Sequence, residues 1–228
     1  MRFAELDMEK IISQFTLPGK LTGIRTLGNG NINDTFLIIT TNEEAFERYV
    51  LQRINHEIFP HPESMMENFS RITSHLELKW KQGKYGYQVL RLMPSKEGDN
   101  FHRDEKGNFW RVCRFVPNGL SLDFPKNKNH AYEAAKAFGA FQANLIDLPG
   151  PPLTETISHF HNTRKRFESF LGLVKEDPRN RSRRVVDLIE FAQRRECLTE
   201  AISVNSFPLR IVHNDTKLNN LLIHEKNR

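Results

Sequence analysis

Three strand-like runs separated by only a few residues constrain this chain more than any other feature. Leu21–Leu27, Thr35–Thr40 and Arg48–Ile54 are rich in β-branched and apolar residues. The Gly28–Asn33 loop and the Thr41-Asn42-Glu43-Glu44 turn join them. Connections this short let strands only fold back beside one another, because a parallel crossover needs a dozen or more residues. An antiparallel meander is therefore predicted. The apolar spacing then changes: from Pro62, residues Met65, Met66, Phe69, Ile72, Leu76 and Trp80 recur at three- and four-residue steps, a helix that Gly83 ends. Strand patterns return at Tyr87–Leu92 and Phe109–Val116. The polar stretch Met93–Asn108 between them is expected to be a mobile surface loop. Pro117-Asn118-Gly119 breaks the pattern, and helical spacing follows over Ala131–Leu145, Phe160–Val174 and Val185–Ala192. A short helix is expected at Glu5–Phe15, ended by Pro18-Gly19. The expected class is α+β: a five-stranded antiparallel sheet with one inserted helix over residues 1–116, a hinge at 117–123, and a mainly helical lobe at 124–228.

Composition excludes several classes. The chain has 228 residues, of which 38% are hydrophobic and 27% charged, as in globular proteins with a substantial core. No run of eighteen apolar residues occurs, so no membrane span is expected. Glu5, Asp7 and Glu9 leave no apolar secretory core near Met1, and Cys113 and Cys197 form neither a disulfide framework nor a metal-ligand spacing. A cytoplasmic location is the natural expectation. The formal charge of +5 owes much to Arg179–Arg184 and Arg194-Arg195. These line helices and read as solvated faces, without the motifs of nucleic-acid binding.

The chemistry concentrates in His213-Asn214-Asp215-Thr216-Lys217-Leu218-Asn219-Asn220. H-x-D-x-K-x-x-N is the catalytic-loop spacing of protein-kinase-like phosphotransferases, in which the Asp accepts the proton of the attacking hydroxyl and the Asn holds a magnesium ion. Apolar, strand-like Pro208–Val212 and Leu221–Ile223 flank it. A plain polar turn is the competing explanation. The element order around this loop is that of a two-lobed protein-kinase-like fold.

Gly28, Gly30 and Asn33 sit in the first strand-to-strand loop. They suit a hairpin turn, where Gly and Asn adopt positive φ, and equally a loop whose backbone approaches ATP phosphates. A Rossmann fingerprint is ruled out because the loop leads into a strand. Phosphoryl transfer also needs a cation on the nucleotide, normally a third-strand Lys paired with a Glu on the next helix. Arg53 is the available cation here and Glu67 its natural partner, although both could be surface residues.

The runs Gly28–Phe36, Val50–Asn55, Met66-Glu67-Asn68, Phe160–Thr163 and His213–Lys217 resemble the N-acetylhexosamine 1-kinase group of the aminoglycoside and choline phosphotransferase superfamily. The resemblance spans nearly the whole chain. It implies a kinase that uses ATP and Mg2+ to phosphorylate the anomeric hydroxyl of GlcNAc or GalNAc. Asp215 would be the catalytic base, Asn220 a magnesium ligand, Lys217 a neighbour of the transferred phosphoryl group, and His213 a brace for the loop. His161, Asn162 and Arg164 would help form the sugar side of the cleft, although an exposed polar face accounts for them equally well.

The departure lies at the end of the chain. The superfamily places a metal-binding Asp on the strand after the catalytic loop, whereas Leu221–Arg228 contains only Glu225 as an acid. The helical lobe is therefore expected to be cut short. Alternatives are a kinase of the same superfamily acting on an aminoglycoside, choline or a similar acceptor, and an inactive nucleotide-binding remnant. The Arg- and Lys-rich helical part favours a neutral sugar over a cationic acceptor.

Overall fold

The meander forms as β1 (Lys20–Thr26), β2 (Asp34–Thr41) and β3 (Phe46–Ile54), each antiparallel to the next. β3 pairs on its other side with β6 (Phe109–Arg114), which also receives the short strands β4 (Leu92–Met93) and β5 (His102–Arg103). In this computed structural model, which describes residues 5–28, 32–43, 45–201 and 207–224, the sheet order is β1-β2-β3-β6-β4, with β5 beside β6. The sheet belongs to a compact unit of Met1–Ile157 with Ile211–Arg228, and Ser158–Arg210 form a second unit.

Strand alternation divides the sheet's two faces. Ile38, Tyr49, Leu51, Trp110 and Val112 pack with Met8, Ile11, Ile12 and Phe15, which come from and follow helix α1 (Glu5–Ile12). Ile54 and Phe109 point the other way and meet Met66 of helix α2 (Pro62–Lys81). Each large side chain buried this way contributes roughly 1.5–3 kcal/mol. Pro62 in its first turn suits the start of α2, and Lys79 and Lys81 suit its negative C-terminal end.

The expected strand at Tyr87–Leu92 is reduced to β4 at its last residue and Met93. Tyr85, Tyr87 and Val89 instead pack with Leu76 and Ile72 of α2 and with Phe141 and Leu145 at the end of helix α3 (Lys128–Asn144). Their alternation serves a helix-lined cluster rather than a sheet edge. The Met93–Asn108 stretch, expected to be a mobile loop, is held by specific bonds. Ser95 bridges to Phe15, Asn100 Nδ2 donates to Ser70 Oγ at 3.0 Å, and β5 pairs with β6. Asp104 accepts from the backbone N–H groups of Lys106 and Asn108 and, at 2.8 Å, from Trp110 Nε1. Polarity here marks hydrogen bonding as well as exposure.

Pro208–Val212, expected to be extended on the approach to the catalytic loop, forms no strand among its described residues. Past that loop, β8 (Ile223–His224) pairs with β7 (Gly119–Leu120), a two-stranded sheet formed at the chain break read from Pro117–Gly119. In the second unit, helix α4 (Thr163–Glu176) ends at Asp177, whose positive φ of 34° closes the helix and whose carboxylate accepts from the N–H groups of Arg181 and Ser182. Helix α5 (Val186–Gln193) follows. No helix among the described residues is long and apolar enough to cross a membrane.

Asp104 supplies a stability prediction. Desolvation raises its carboxyl pKa, but hydrogen bonds from Trp110, Asn108 and Lys106 outweigh that and hold it below the ordinary value. A depressed native pKa contributes stability that is present above the unfolded value of about 3.9 and is lost as the pH falls through the native one. Asp104→Asn replaces one of the two acceptor oxygens shared by the Trp110 indole, Asn108 and Lys106 with an N–H donor and should cost about 1–3 kcal/mol in urea denaturation at pH 7. The difference from wild type should stay constant from about pH 8 to 5 and shrink below about pH 4.

Candidate active site

The His213–Asn220 loop, expected to be catalytic, is organised by its own short hydrogen bonds. Asn220 Nδ2 donates both to the Asp215 carbonyl oxygen and to Asp215 Oδ2, each at 2.8 Å. Lys217 Nζ lies 3.1 Å from the same carboxylate oxygen. A single 3-10 turn, Leu218–Asn220, brings the amide back over the acid. Asn214 takes a positive φ of 65°, a conformation that Asn tolerates better than most residues. His213 sits edge-on to Phe138 and Phe141 of α3, with ring centroids 5.4 and 6.0 Å away, which fixes the start of the loop. Its end is tied by Ser121 Oγ, which donates to the Asn219 carbonyl at 2.9 Å, and by β8. Gly119 lets β7 and β8 approach closely, since a Cβ there would lie 3.1 Å from the Leu222 side chain.

Asp215 is thereby an ionised acceptor. Desolvation pulls its carboxyl pKa up, but hydrogen bonds from Asn220 and Lys217, with the charges of Lys217 and His213, outweigh it and leave the pKa below the ordinary carboxylate value. Asp215 Oδ1 and Asn220 Oδ1 make no hydrogen bond among the described residues. One carboxylate oxygen therefore remains for an incoming hydroxyl, and one amide oxygen can face a cation. No cluster of three or more His, Cys, Asp or Glu residues able to hold a metal exists among the described residues. Magnesium takes six oxygen donors, one or two of them carboxylates with the rest water and phosphate, so these residues offer only part of a magnesium donor set. Asn220 and His213 line a cavity of about 940 Å³ whose walls include Phe69 and Thr73 of α2, Phe138 of α3, Val116 and Leu222.

The glycine turn is only partly within view. Gly30 lies outside the described residues, as does Glu225. Gly28 has a φ of +72°, and a Cβ there would meet nothing within 4 Å, so the conformation rather than close packing calls for glycine. Asn33 Oδ1 accepts the Asn55 N–H at 3.0 Å and ties the turn to the end of β3.

Arg53 does not take the position expected of it. It lies on the α1 side of the sheet with Tyr49 and Leu51, opposite the side that packs on α2. Its guanidinium donates to Asp34 Oδ2 at 2.7 Å from Nε, forms a 2.5 Å ion pair through Nη2, and reaches Asn108 Oδ1 at 3.2 Å. Glu67 is exposed on α2. The expected Arg53–Glu67 pair is therefore replaced by Arg53–Asp34, because one residue along a strand reverses the face.

The residue on the α2 side is Gln52, and beside it on β6 stands Arg111. Arg111 donates to Gln52 Oε1 from Nε at 3.0 Å and from Nη2 at 2.9 Å, and its guanidinium stacks 4.5 Å from the Phe69 ring centroid. Gln52 Nε2 in turn donates to Thr35 Oγ1 at 3.2 Å. Sequence reasoning missed Arg111. The signal was there in Phe109-Trp110-Arg111-Val112-Cys113, where a lone cation interrupts an apolar central strand.

In the second unit, Asn162 caps α4, with Oδ1 accepting the Lys165 N–H at 2.9 Å. Arg164 pairs with Glu168 and Glu196 at 3.0 and 2.8 Å, and His161 stacks edge-on to Phe160 with ring centroids 4.7 Å apart. These contacts cap α4, brace its first turns and tie it to the turn at Glu196.

Residues 23–228 match the family described as the phosphotransferase enzyme family, APH. The chain belongs to that family. Among solved structures it is similar to spectinomycin phosphotransferase APH(9)-Ia, determined in complex with ADP and spectinomycin. The TM-score is 0.58 at 11% identity, over 98% of this chain and 66% of that one. It is also similar to an aminoglycoside phosphotransferase from Alicyclobacillus acidocaldarius subsp. acidocaldarius DSM 446, with a TM-score of 0.45 at 13% identity, over 77% of this chain and 44% of that one. The chain thus spans 66% and 44% of the lengths of these two proteins. The α+β fold, with its antiparallel sheet followed by helices, is that of the kinase-like phosphotransferases.

The Asp215 geometry is testable without turnover. In Lys217→Met and in Asn220→Ala, the Asp215 carboxyl should titrate at higher pH than in wild type, because each change removes a contact that favours the ionised form. Carboxyl-carbon NMR of the three proteins measures this. Identical titrations would mean that the loop does not hold the acid as described.

Proposed function

We propose that this chain carries the nucleotide-binding lobe and catalytic loop of an ATP-dependent small-molecule kinase whose acceptor is the anomeric hydroxyl of an N-acetylhexosamine. The observation that carries the reading is the Asp215–Asn220–Lys217 arrangement, an ionised carboxylate with one oxygen held and one open. The family's chemistry and the ADP bound in the spectinomycin phosphotransferase support a nucleotide phosphoryl donor. The resemblance of the glycine turn and the Phe160–Thr163 stretch to N-acetylhexosamine 1-kinases supports the acceptor. Residues 1–116 would form the nucleotide lobe, 117–123 its hinge, and 124–228 the lobe that carries the catalytic loop.

In this reading Asp215 Oδ1 accepts a hydrogen bond from the acceptor hydroxyl and orients its oxygen toward the γ-phosphorus; as the new P–O bond forms, the bond from the γ-phosphorus to the β–γ bridging oxygen breaks, ADP leaves with that electron pair, and Asp215 takes the hydroxyl proton. Its depressed pKa keeps it ionised across the physiological range, so it acts by alignment and late proton acceptance. Lys217 stands beside it to offset charge on the transferred phosphoryl group. Gly28, Gly30 and Asn33 are proposed for the phosphate side. Magnesium, when bound with the nucleotide, would neutralise phosphate charge, and Asn220 would offer it one oxygen. His161, Asn162 and Arg164 are proposed for the sugar side.

The test is ATP consumption by this chain, and by any longer form of the protein, against GlcNAc, GalNAc, spectinomycin and choline. Turnover with the N-acetylhexosamines alone is expected; turnover only with the amino-alcohol or aminoglycoside would overturn the acceptor. In the active form, Asp215→Asn should lower kcat by roughly 10²–10⁴ while leaving ATP affinity nearly unchanged.

A further inference from the structure

We propose that Arg111, aligned by Gln52, is the cation that grips the nucleotide phosphates in this chain; this rests on the ATP-binding reading above. Thr35, Gln52 and Arg111 are register neighbours on β2, β3 and β6, and their side chains form one hydrogen-bonded row across the sheet. The row lies on the face that packs on α2, and it starts at Thr35, two residues past Asn33 of the glycine turn. A third-strand cation would be expected on this face, yet Gln52 is neutral and Arg53 is turned away.

Arg111 has no counter-ion among the described residues. Arg53 has Asp34 and Arg114 has Glu47, whereas the polar partners of Arg111 among the described residues are Gln52 Oε1 and, at 3.8 Å, Met66 Sδ. Desolvation pushes its guanidinium pKa down, so the charge is held against a cost that no carboxylate offsets. Arginine carries five N–H donors. Gln52 takes the Nε–H and one on Nη2, and Met66 faces one on Nη1, which leaves one on each terminal nitrogen for a further acceptor. The Phe69 ring holds the guanidinium plane without supplying negative charge that would compete with a ligand. A planar fork with donors left over and no resident anion suits a phosphate. Gln52 then acts as a positioning residue: its Oε1 fixes the side of the fork and its amide anchors to Thr35.

Calorimetry of the 228-residue chain with ATP, ADP and adenosine tests this. Wild type should bind ATP more tightly than adenosine. Arg111→Met should weaken ATP binding about tenfold or more while adenosine stays within about twofold, as expected when one charge-assisted contact to phosphate is lost. Gln52→Leu should give a smaller loss of the same kind. If Arg111→Met does not fold, Arg111→Lys carries the test, because it keeps the charge, loses the fork and should lower ATP affinity several-fold with adenosine unchanged. Equal losses for ATP and adenosine, or none, would make the row purely structural and overturn the proposal while leaving the kinase reading standing. A wild-type chain that binds neither ligand would overturn both.

Discussion

β3 pairs with β2 from Phe46 to Arg53 and with β6 from Tyr49 to Ile54, and the alternation along it decides what the rest of the molecule can do. Tyr49 and Leu51 are committed to the core against α1, which fixes Gln52 and Ile54 on the side of α2. A slip of one residue would exchange these sets and expose the core, so the register is strongly specified. The same constraint carries across to β6, where Trp110 and Val112 must join the α1 side and Arg111 must not. The position of the Arg111 cation is thus a consequence of apolar burial on the opposite face.

The His213–Asn220 loop depends on a different kind of constraint. It has almost no regular structure, so its shape comes from side chains that replace backbone pairing. Asn220 folds the loop over Asp215, His213 anchors it to two aromatic rings of α3, and the β7–β8 pair closes its exit. The carboxylate is kept ionised by the same contacts that place it. Position and protonation state are therefore not separable here, and a substitution that loosens one alters the other.

Much of this was legible in the sequence, for physical reasons that also explain the failures. The meander and α2 were readable because their apolar spacing matches strand and helix periods over several residues. The His213–Asn220 loop stood out because fixed polar identities at fixed offsets do not arise from packing. The Arg53–Glu67 pair failed because Gln52 and Arg53 are both polar, and only the burial of Leu51 tells which of them faces α2. Tyr87–Leu92 misled because alternation of Tyr87 and Val89 fits a helix-lined cluster as well as a strand. The Asp104 network was invisible because its bonds run to an indole and to backbone N–H groups, for which composition gives no sign.

The central claim is that nucleotide phosphates meet the α2 side of the sheet, where Gln52 and Arg111 stand. Side-chain NMR during an ADP titration tests it most directly. The Arg111 Nε–H and Gln52 amide signals should shift together with the backbone of Gly28, while the Arg53 Nε–H, held by Asp34 on the other face, should stay in place. Shifts confined to Arg53 and its surroundings, with Arg111 and Gln52 unmoved, would contradict the account.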